Sequence, residues 1–202
     1  MRRIVTVIAM VMMLAVITAC GKTAQQETTG AQETARNTSG AAPAHSEVLV
    51  AYFSATGTTN KVAEKIASIT GGDLYEIVPA EPYTTEDLNY NDRSSRSTKE
   101  QNDKSARPAI GSEDVSLTGY TTIYLGFPIW WGEEPRILDT FVEKYSFEGI
   151  TVIPFCTSGS SGIGRSGPNM KALAGTGNWL DGKRFGANVS EADLKSWIDG
   201  LK

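Results

Sequence analysis

Residues 47–72 read EVLVAYFSATGTTNKVAEKIASITGG. They open with a short apolar run rich in β-branched residues, 47–53, of the length and composition of a buried strand. Four hydroxyl residues and a glycine follow, 54–59. Val62, Ile66 and Ile69 then recur at helical spacing over residues 60–70, and Gly71-Gly72 ends the helix. This is a strand–turn–helix unit, and the rest of the chain repeats it. Residues 74–78 form a second short strand, 120–127 (YTTIYLGF) a third and 149–156 (GITVIPFC) a fourth. Glu134-Pro135 opens a helix with Ile137, Leu138, Phe141, Val142 and Tyr145 on its apolar face. A short helix is expected over 168–174 and a fifth strand over 179–185, with Gly182 inside it. Ser190-Glu191-Ala192-Asp193 resembles a capping box ahead of Leu194, Trp197, Ile198 and Leu201. Alternating apolar strands and helices imply a parallel sheet covered on both sides, an α/β fold of three layers with five strands.

Residues 79–118 break the alternation. This stretch is polar and carries Glu86, Asp87, Asp92, Arg93, Arg96, Lys99, Glu100, Asp103, Lys104 and Arg107, with one short helix expected near 97–103. A connection of this length is either functional or disordered.

The amino-terminal end reads differently. Met1-Arg2-Arg3 is basic, and residues 4–18 are almost wholly apolar. That run is shorter than the ~20 residues of a membrane span and suits the core of a secretory signal. It ends in Ile17-Thr18-Ala19-Cys20-Gly21, which resembles the bacterial lipobox. The resemblance implies removal of residues 1–19, acylation of Cys20 and an extracytoplasmic, lipid-anchored protein at the bacterial cell membrane. Residues 21–46 contain no Val, Ile, Leu, Met, Phe, Tyr or Trp. Such a segment cannot bury enough apolar surface to offset its ordering entropy. It reads as a disordered tether, residues 20–46, with a mean reach of ~28 Å as a flexible coil. The folded domain is then 47–202.

Composition excludes several functions. The chain carries 19 basic and 23 acidic side chains, a formal −4 at pH 7. Loss of Arg2 and Arg3 with the signal leaves 17 basic side chains and a formal −6. Nucleic acid needs a basic surface and is not an expected partner. One histidine and two cysteines are too few for a Cys/His zinc site, so no metal is expected. A Ser-His-Asp triad would need His45, which lies in the tether.

Three loops carry the candidate chemistry, and all follow strands, where an open α/β sheet binds its ligands. In the first, Ser54, Thr56, Gly57, Thr58 and Thr59 precede a helix N-terminus, a place for an anion. No lysine completes a nucleoside-triphosphate loop, so a monophosphate held by backbone and hydroxyl groups fits better. The second, Pro128, Ile129, Trp130, Trp131 and Gly132, holds two adjacent tryptophans that cannot both enter one core. One of them offers a flat ring for stacking, and Trp130 is the preferred choice. Glu133 and Glu134 follow; they meet the N-terminus of the next helix, and a carboxylate there would oppose negative charge on a reduced cofactor. The third loop, Thr157, Ser158, Gly159 and Ser160, offers donors for the polar edge of a heterocycle. Further along, Gly162-Ile163-Gly164-Arg165-Ser166-Gly167 matches the GxGxxG spacing, with Asp181 nineteen residues after Gly162. A dinucleotide fingerprint opens the first βα unit, and this one follows the fourth strand.

Together the loops resemble the flavodoxin-like family over residues 47–202. Ser54-x-Thr56-Gly57-x-Thr59 is similar to the flavodoxin loop that binds the FMN phosphate. Phe127 to Gly132 and Thr157 to Ser160 resemble the two flavin-ring loops of the related quinone reductases. The resemblance implies non-covalent FMN and transfer of electrons at the extracytoplasmic membrane face, with a redox protein as partner. One alternative is an FMN-dependent reductase that uses NAD(P)H and a quinone or flavin; another is a flavin-free binding lipoprotein. The third loop lacks the aromatic that flavodoxins usually place there, so one ring face is open or covered by Tyr83 or Tyr90. Cys156, at the end of the fourth strand, reads as a buried thiol.

Overall fold

A computed structural model describes residues 46–201. The signal segment, Cys20, nearly all of the tether and Lys202 lie outside the described residues. The elements run β1 (Val48–Tyr52), α1 (Thr58–Thr70), β2 (Asp73–Glu76), α2 (Arg96–Asn102), β3 (Thr122–Pro128), α3 (Arg136–Lys144), β4 (Thr151–Thr157), α4 (Ser166–Ala174), β5 (Asn178–Trp179), β6 (Lys183–Phe185) and α5 (Glu191–Asp199). All strand pairs are parallel, in the order β2-β1-β3-β4-β5, with β6 also paired to β4. The order reverses between β1 and β3. This is the 2-1-3-4-5 order of the flavodoxin-like doubly wound fold.

Side-chain alternation divides the core between the two faces. Leu49, Ala51 and Phe53 of the first strand and its extension join Ile123, Leu125 and Phe127 under Ile137, Leu138 and Phe141 of α3 and Met170 of α4. Val50, Tyr52, Tyr124, Ile153 and Phe155 point the other way, onto Val62, Ala63 and Ile66 of α1 and Leu194 and Ile198 of α5. Cys156 is fully buried, and burial pushes its thiol up to about 12.

The fifth strand departs from expectation. It is two pieces at one sheet edge, not a single run over 179–185. The even-numbered residues of β4 face this edge: Asn178 N–H donates to the Ile150 carbonyl and Leu180 N–H to the Val152 carbonyl. Pro154 is next in that series and has no N–H to give. Beyond it the register slips by one residue, from Val152 opposite Trp179 to Phe155 opposite Lys183.

One smaller difference concerns a helix start. Pro135 is extended (φ −62°, ψ 140°) and stands just before α3 instead of forming its first turn. At α5 the expected cap is present: Ser190 Oγ accepts from Asp193 N–H at 3.1 Å.

Residues 79–118 are ordered by bonds within the segment, to the chain just after β2 and to α3. Ala80 N–H donates to the Ala109 carbonyl at 2.8 Å and Gly111 N–H to the Val78 carbonyl at 2.7 Å. Arg107 forks onto both carboxylate oxygens of Glu143, each at 2.7 Å. Arg96–Asn102 forms the short helix, capped by Ser95 Oγ.

Gly126 of β3 is required by a close approach. A Cβ built there would lie 2.2 Å from Cζ of the Phe155 ring, which is itself fully buried. Gly126→Ala is expected to destabilise the domain by ~1–3 kcal/mol through overpacking. Urea unfolding checks this, and Phe155→Leu added to Gly126→Ala should recover part of the loss.

Candidate functional site

The carboxyl ends of β1, β3 and β4 frame a cavity of about 470 Å³ lined by Thr56, Thr58, Pro128, Ile129, Trp130, Thr157, Ser158 and Gly159, together with Leu88, Tyr90 and Ala187. It sits where the strand order reverses, the place at which this class of sheet binds ligands. All three sequence-predicted loops contribute to its wall.

The first loop ends in Gly57, whose φ of +79° is a left-handed conformation suited to glycine. No side chain caps α1, and no acidic residue stands in its first turn. The free N–H groups of the helix start are therefore open to an external acceptor. Ser54 Oγ is buried and has no hydrogen-bond partner among the described residues. Thr59 is spent differently: its hydroxyl is buried and bonds the Thr157 hydroxyl at 2.8 Å, tying the first loop to the third. Thr56 is exposed and Thr58 half-buried.

The second loop is a tight hairpin. Trp130 and Glu133 exchange both backbone hydrogen bonds at 3.0 Å, and the two residues between them, Trp131 and Gly132, have φ of +47° and +85°. Positive φ at both positions is what a type I′ turn needs. For a tryptophan it costs about 1–2 kcal/mol. Gln101 of α2 compensates by donating to the Trp130 and Glu134 carbonyls at 2.9 and 3.1 Å. The strained turn pushes the Trp131 ring outward, 39% exposed, where it stacks on Tyr90 at 4.4 Å between centroids. Trp130 is only 4% exposed and meets Phe53 and Tyr83 edge-on at 5.4 and 5.0 Å. Trp131 is therefore the more exposed ring, with one face against Tyr90, whereas Trp130, though nearly buried, is the tryptophan on the cavity wall. Of the two candidate covering tyrosines, Tyr83 is committed elsewhere: its hydroxyl donates to Glu100 at 2.5 Å and Arg96 lies over its ring. Tyr90 is the one on the cavity wall.

Glu133 and Glu134 also differ from expectation. Glu133 pairs with Arg136 at 2.8 Å. Glu134 is buried, 3.9 Å from the same guanidinium, beside Ser166 and Asn169 in the first turn of α4. Burial raises its pKa against the pull of those neighbours. The start of α4, where the GxGxxG spacing ends, thus already has a carboxylate of the chain itself beside it. Asp139 shares Arg136 at 3.4 Å, and burial, then the charge of Glu134, push its carboxyl up to about 6.

In the third loop, Ser158 and Gly159 reach the cavity, whereas Ser160 is exposed and not part of its wall. Arg184 of β6 holds this loop through the Ser158 and Gly159 carbonyls at 2.8 and 2.5 Å. Sequence reading missed Leu88, Ala187, Gln101, Arg136 and Arg184. The first two carry no chemical signal, Gln101 and Arg184 act across 29 and 26 residues, a separation no local pattern reports, and Arg136 pairs locally with Glu133 and Asp139, each three residues away.

The model of the flavodoxin family matches residues 47–201. A crystal structure from Bacteroides eggerthii, classed as a flavoprotein, is 46% identical and superposes with a TM-score of 0.72, over 78% of this chain and 98% of that one. Its counterpart from Bacteroides uniformis is also 46% identical, with a TM-score of 0.73 over 77% of this chain and 99% of that one. A flavoprotein from Lactobacillus acidophilus, crystallised in complex with FMN, shares the fold at 23% identity and a TM-score of 0.57, over 75% of this chain and 97% of that one. No curated protein matches the chain. With the sheet order, the three loops at its switch point and a family match across the whole described domain, this chain belongs to the flavodoxin family.

Proposed function

We propose that the protein binds FMN non-covalently in the cavity at the β1/β3 switch point and carries electrons between partner proteins. The observation that carries this reading is the first loop: an uncapped helix start beside a buried Ser54 hydroxyl with no partner among the described residues. Those groups suit a phosphate dianion, and a buried polar atom without a partner is otherwise costly. The FMN complex of the Lactobacillus acidophilus flavoprotein supports the choice of ligand. When bound, FMN supplies the one- and two-electron chemistry.

The chain's own residues bind and orient. Ser54, Thr56, Thr58 and the α1 N–H groups hold the phosphate. Trp130 and Tyr90, both on the cavity wall, meet the ring from the second loop and the 79–118 segment, and the third loop meets its polar edge. Coverage of the ring by Tyr90 leaves less room for a second planar substrate, which favours a carrier over a reductase. Mixing the FMN-loaded protein with NAD(P)H under anaerobic conditions tests this: the carrier reading expects no reduction on the scale of seconds, and rapid bleaching of the flavin would establish a reductase.

The stacking assignment has its own test. FMN is expected to quench tryptophan emission, and Trp130→Phe to remove most of that quenching and weaken binding up to about tenfold, since a stacked aromatic contributes ~0.5–1.5 kcal/mol beyond burial. Quenching lost in Trp131→Phe and kept in Trp130→Phe would assign the contact to Trp131.

The proposed location is the extracytoplasmic face of a bacterial cell membrane, through acylated Cys20. The lipobox-like Ile17-Thr18-Ala19-Cys20 supports it. No helix among the described residues is long and apolar enough to cross a membrane. Cys20→Ser is therefore expected to move the protein from the membrane to the soluble fraction. Retention of that variant in the membrane pellet after a high-salt wash would contradict the anchor.

A further inference from the structure

Arg184 stands opposite Cys156 in the last piece of the sheet edge. Its guanidinium turns back onto the third loop. Nη2 donates to the carbonyls of Ser158 at 2.8 Å and Gly159 at 2.5 Å, and Nε donates to Ser158 Oγ at 3.3 Å. Two further bonds fix the same corner: Ser158 N–H donates to the Phe185 carbonyl, and Ser158 Oγ to the Ser161 carbonyl.

In a trans peptide the C=O and N–H groups point in opposite directions. Drawing the Ser158 and Gly159 carbonyls toward the guanidinium therefore turns the N–H groups of Gly159 and Ser160 away from it. Neither N–H donates a hydrogen bond among the described residues, and Ser158 and Gly159 lie on the cavity wall. The charges around the cavity are also unequal. The acidic pair of the second loop shares one cation, Arg136, with Asp139. Arg184 pairs with no carboxylate among the described residues. Its charge meets only carbonyl and hydroxyl oxygens.

We propose that Arg184 is a positioning residue of the cofactor site: it aims the Gly159 N–H at the acceptor edge of the flavin ring, and its positive charge, which meets no carboxylate among the described residues, shifts the site toward reduced, anionic FMN. The inference rests on the FMN reading above and adds to it which side chain sets the third loop and in which direction that side chain moves the redox preference.

Three proteins test it: the parent, Arg184→Ala and Arg184→Lys. Each is titrated with FMN and with riboflavin, its midpoint potential is measured, and its melting temperature shows that it is folded. Arg184→Ala is expected to lose about tenfold in affinity for both ligands alike, because the lost geometry serves the ring and not the phosphate. Reduced FMN should be lost more than oxidised FMN, lowering the two-electron potential by ~30 mV for each tenfold difference. Arg184→Lys keeps the charge but not the fork that spans two carbonyls; it should restore the potential and leave riboflavin affinity low. A folded Arg184→Ala with unchanged riboflavin affinity and potential overturns the proposal. So does a loss confined to FMN, which would place Arg184 at the phosphate. Should Arg184→Ala not fold, an Arg184→Lys variant that binds riboflavin as the parent does overturns it as well. A folded parent that binds neither ligand overturns the FMN reading, and this inference with it.

Discussion

Riboflavin is expected to bind this protein at least about a hundredfold more weakly than FMN. The two ligands differ only in the phosphate, so the ratio isolates the first loop. A hydrogen bond to a charged group contributes ~1.5–3 kcal/mol, and two such bonds already give ~3–6 kcal/mol, or two to four decades in affinity. The uncapped start of α1, the orphaned Ser54 hydroxyl and the half-buried Thr58 provide at least that many donors. Thr56→Ala should lower FMN affinity about tenfold and leave riboflavin nearly unchanged. Parallel titrations of parent and variant read both effects. Equal losses for the two ligands would place the phosphate elsewhere.

Arg136→Met is expected to cost ~3–5 kcal/mol of stability at pH 7. Arg136 is buried and holds three carboxylates: Glu133 at 2.8 Å, Asp139 at 3.4 Å and Glu134 at 3.9 Å. Removing the cation leaves Glu134 buried without one and Asp139 with only Arg107, 3.9 Å away, and breaking a buried pair from one side carries a penalty of that size. The penalty should shrink toward pH 5. Asp139 already titrates near 6 in the folded protein, well above the 3.8 of a free side chain, and Glu134 is shifted the same way. An acid whose pKa is raised by folding binds more protons folded than unfolded, so its contribution to stability falls as pH rises from about 4 to about 6. Denaturant melts at pH 5 and 7 check both statements. A variant with the parent's stability at pH 7 would show that the carboxylates find other partners.

The order of elements was readable because buried parallel strands and amphipathic helices differ in apolar period. Leu49, Ala51 and Phe53 alternate with Val50 and Tyr52 in the chain and do so across the sheet. The three loops were readable because each follows a strand whose end is an apolar run. What was not readable depends on contacts across the fold. Pro154 was visible, but the gap it leaves in the edge strand depends on which neighbour faces its missing N–H. Trp130 and Trp131 are chemically identical; the hairpin turn and Gln101, 29 residues away, decide which ring is buried. Glu133 and Glu134 read as charges meeting the start of the next helix, at least one of them also opposing negative charge on a reduced cofactor, and the burial that turns Arg136 back onto both is set by the packing around it.

The central claim is that one FMN binds in the cavity at the switch between β1 and β3. Calorimetric titration of flavin-free, folded protein with FMN tests it most directly, run beside the double variant Ser54→Ala with Thr56→Ala. The account predicts saturation at one FMN per chain in the parent and a marked loss of affinity in the folded double variant. A folded parent that takes up no FMN, or a double variant that binds as the parent does, would contradict it.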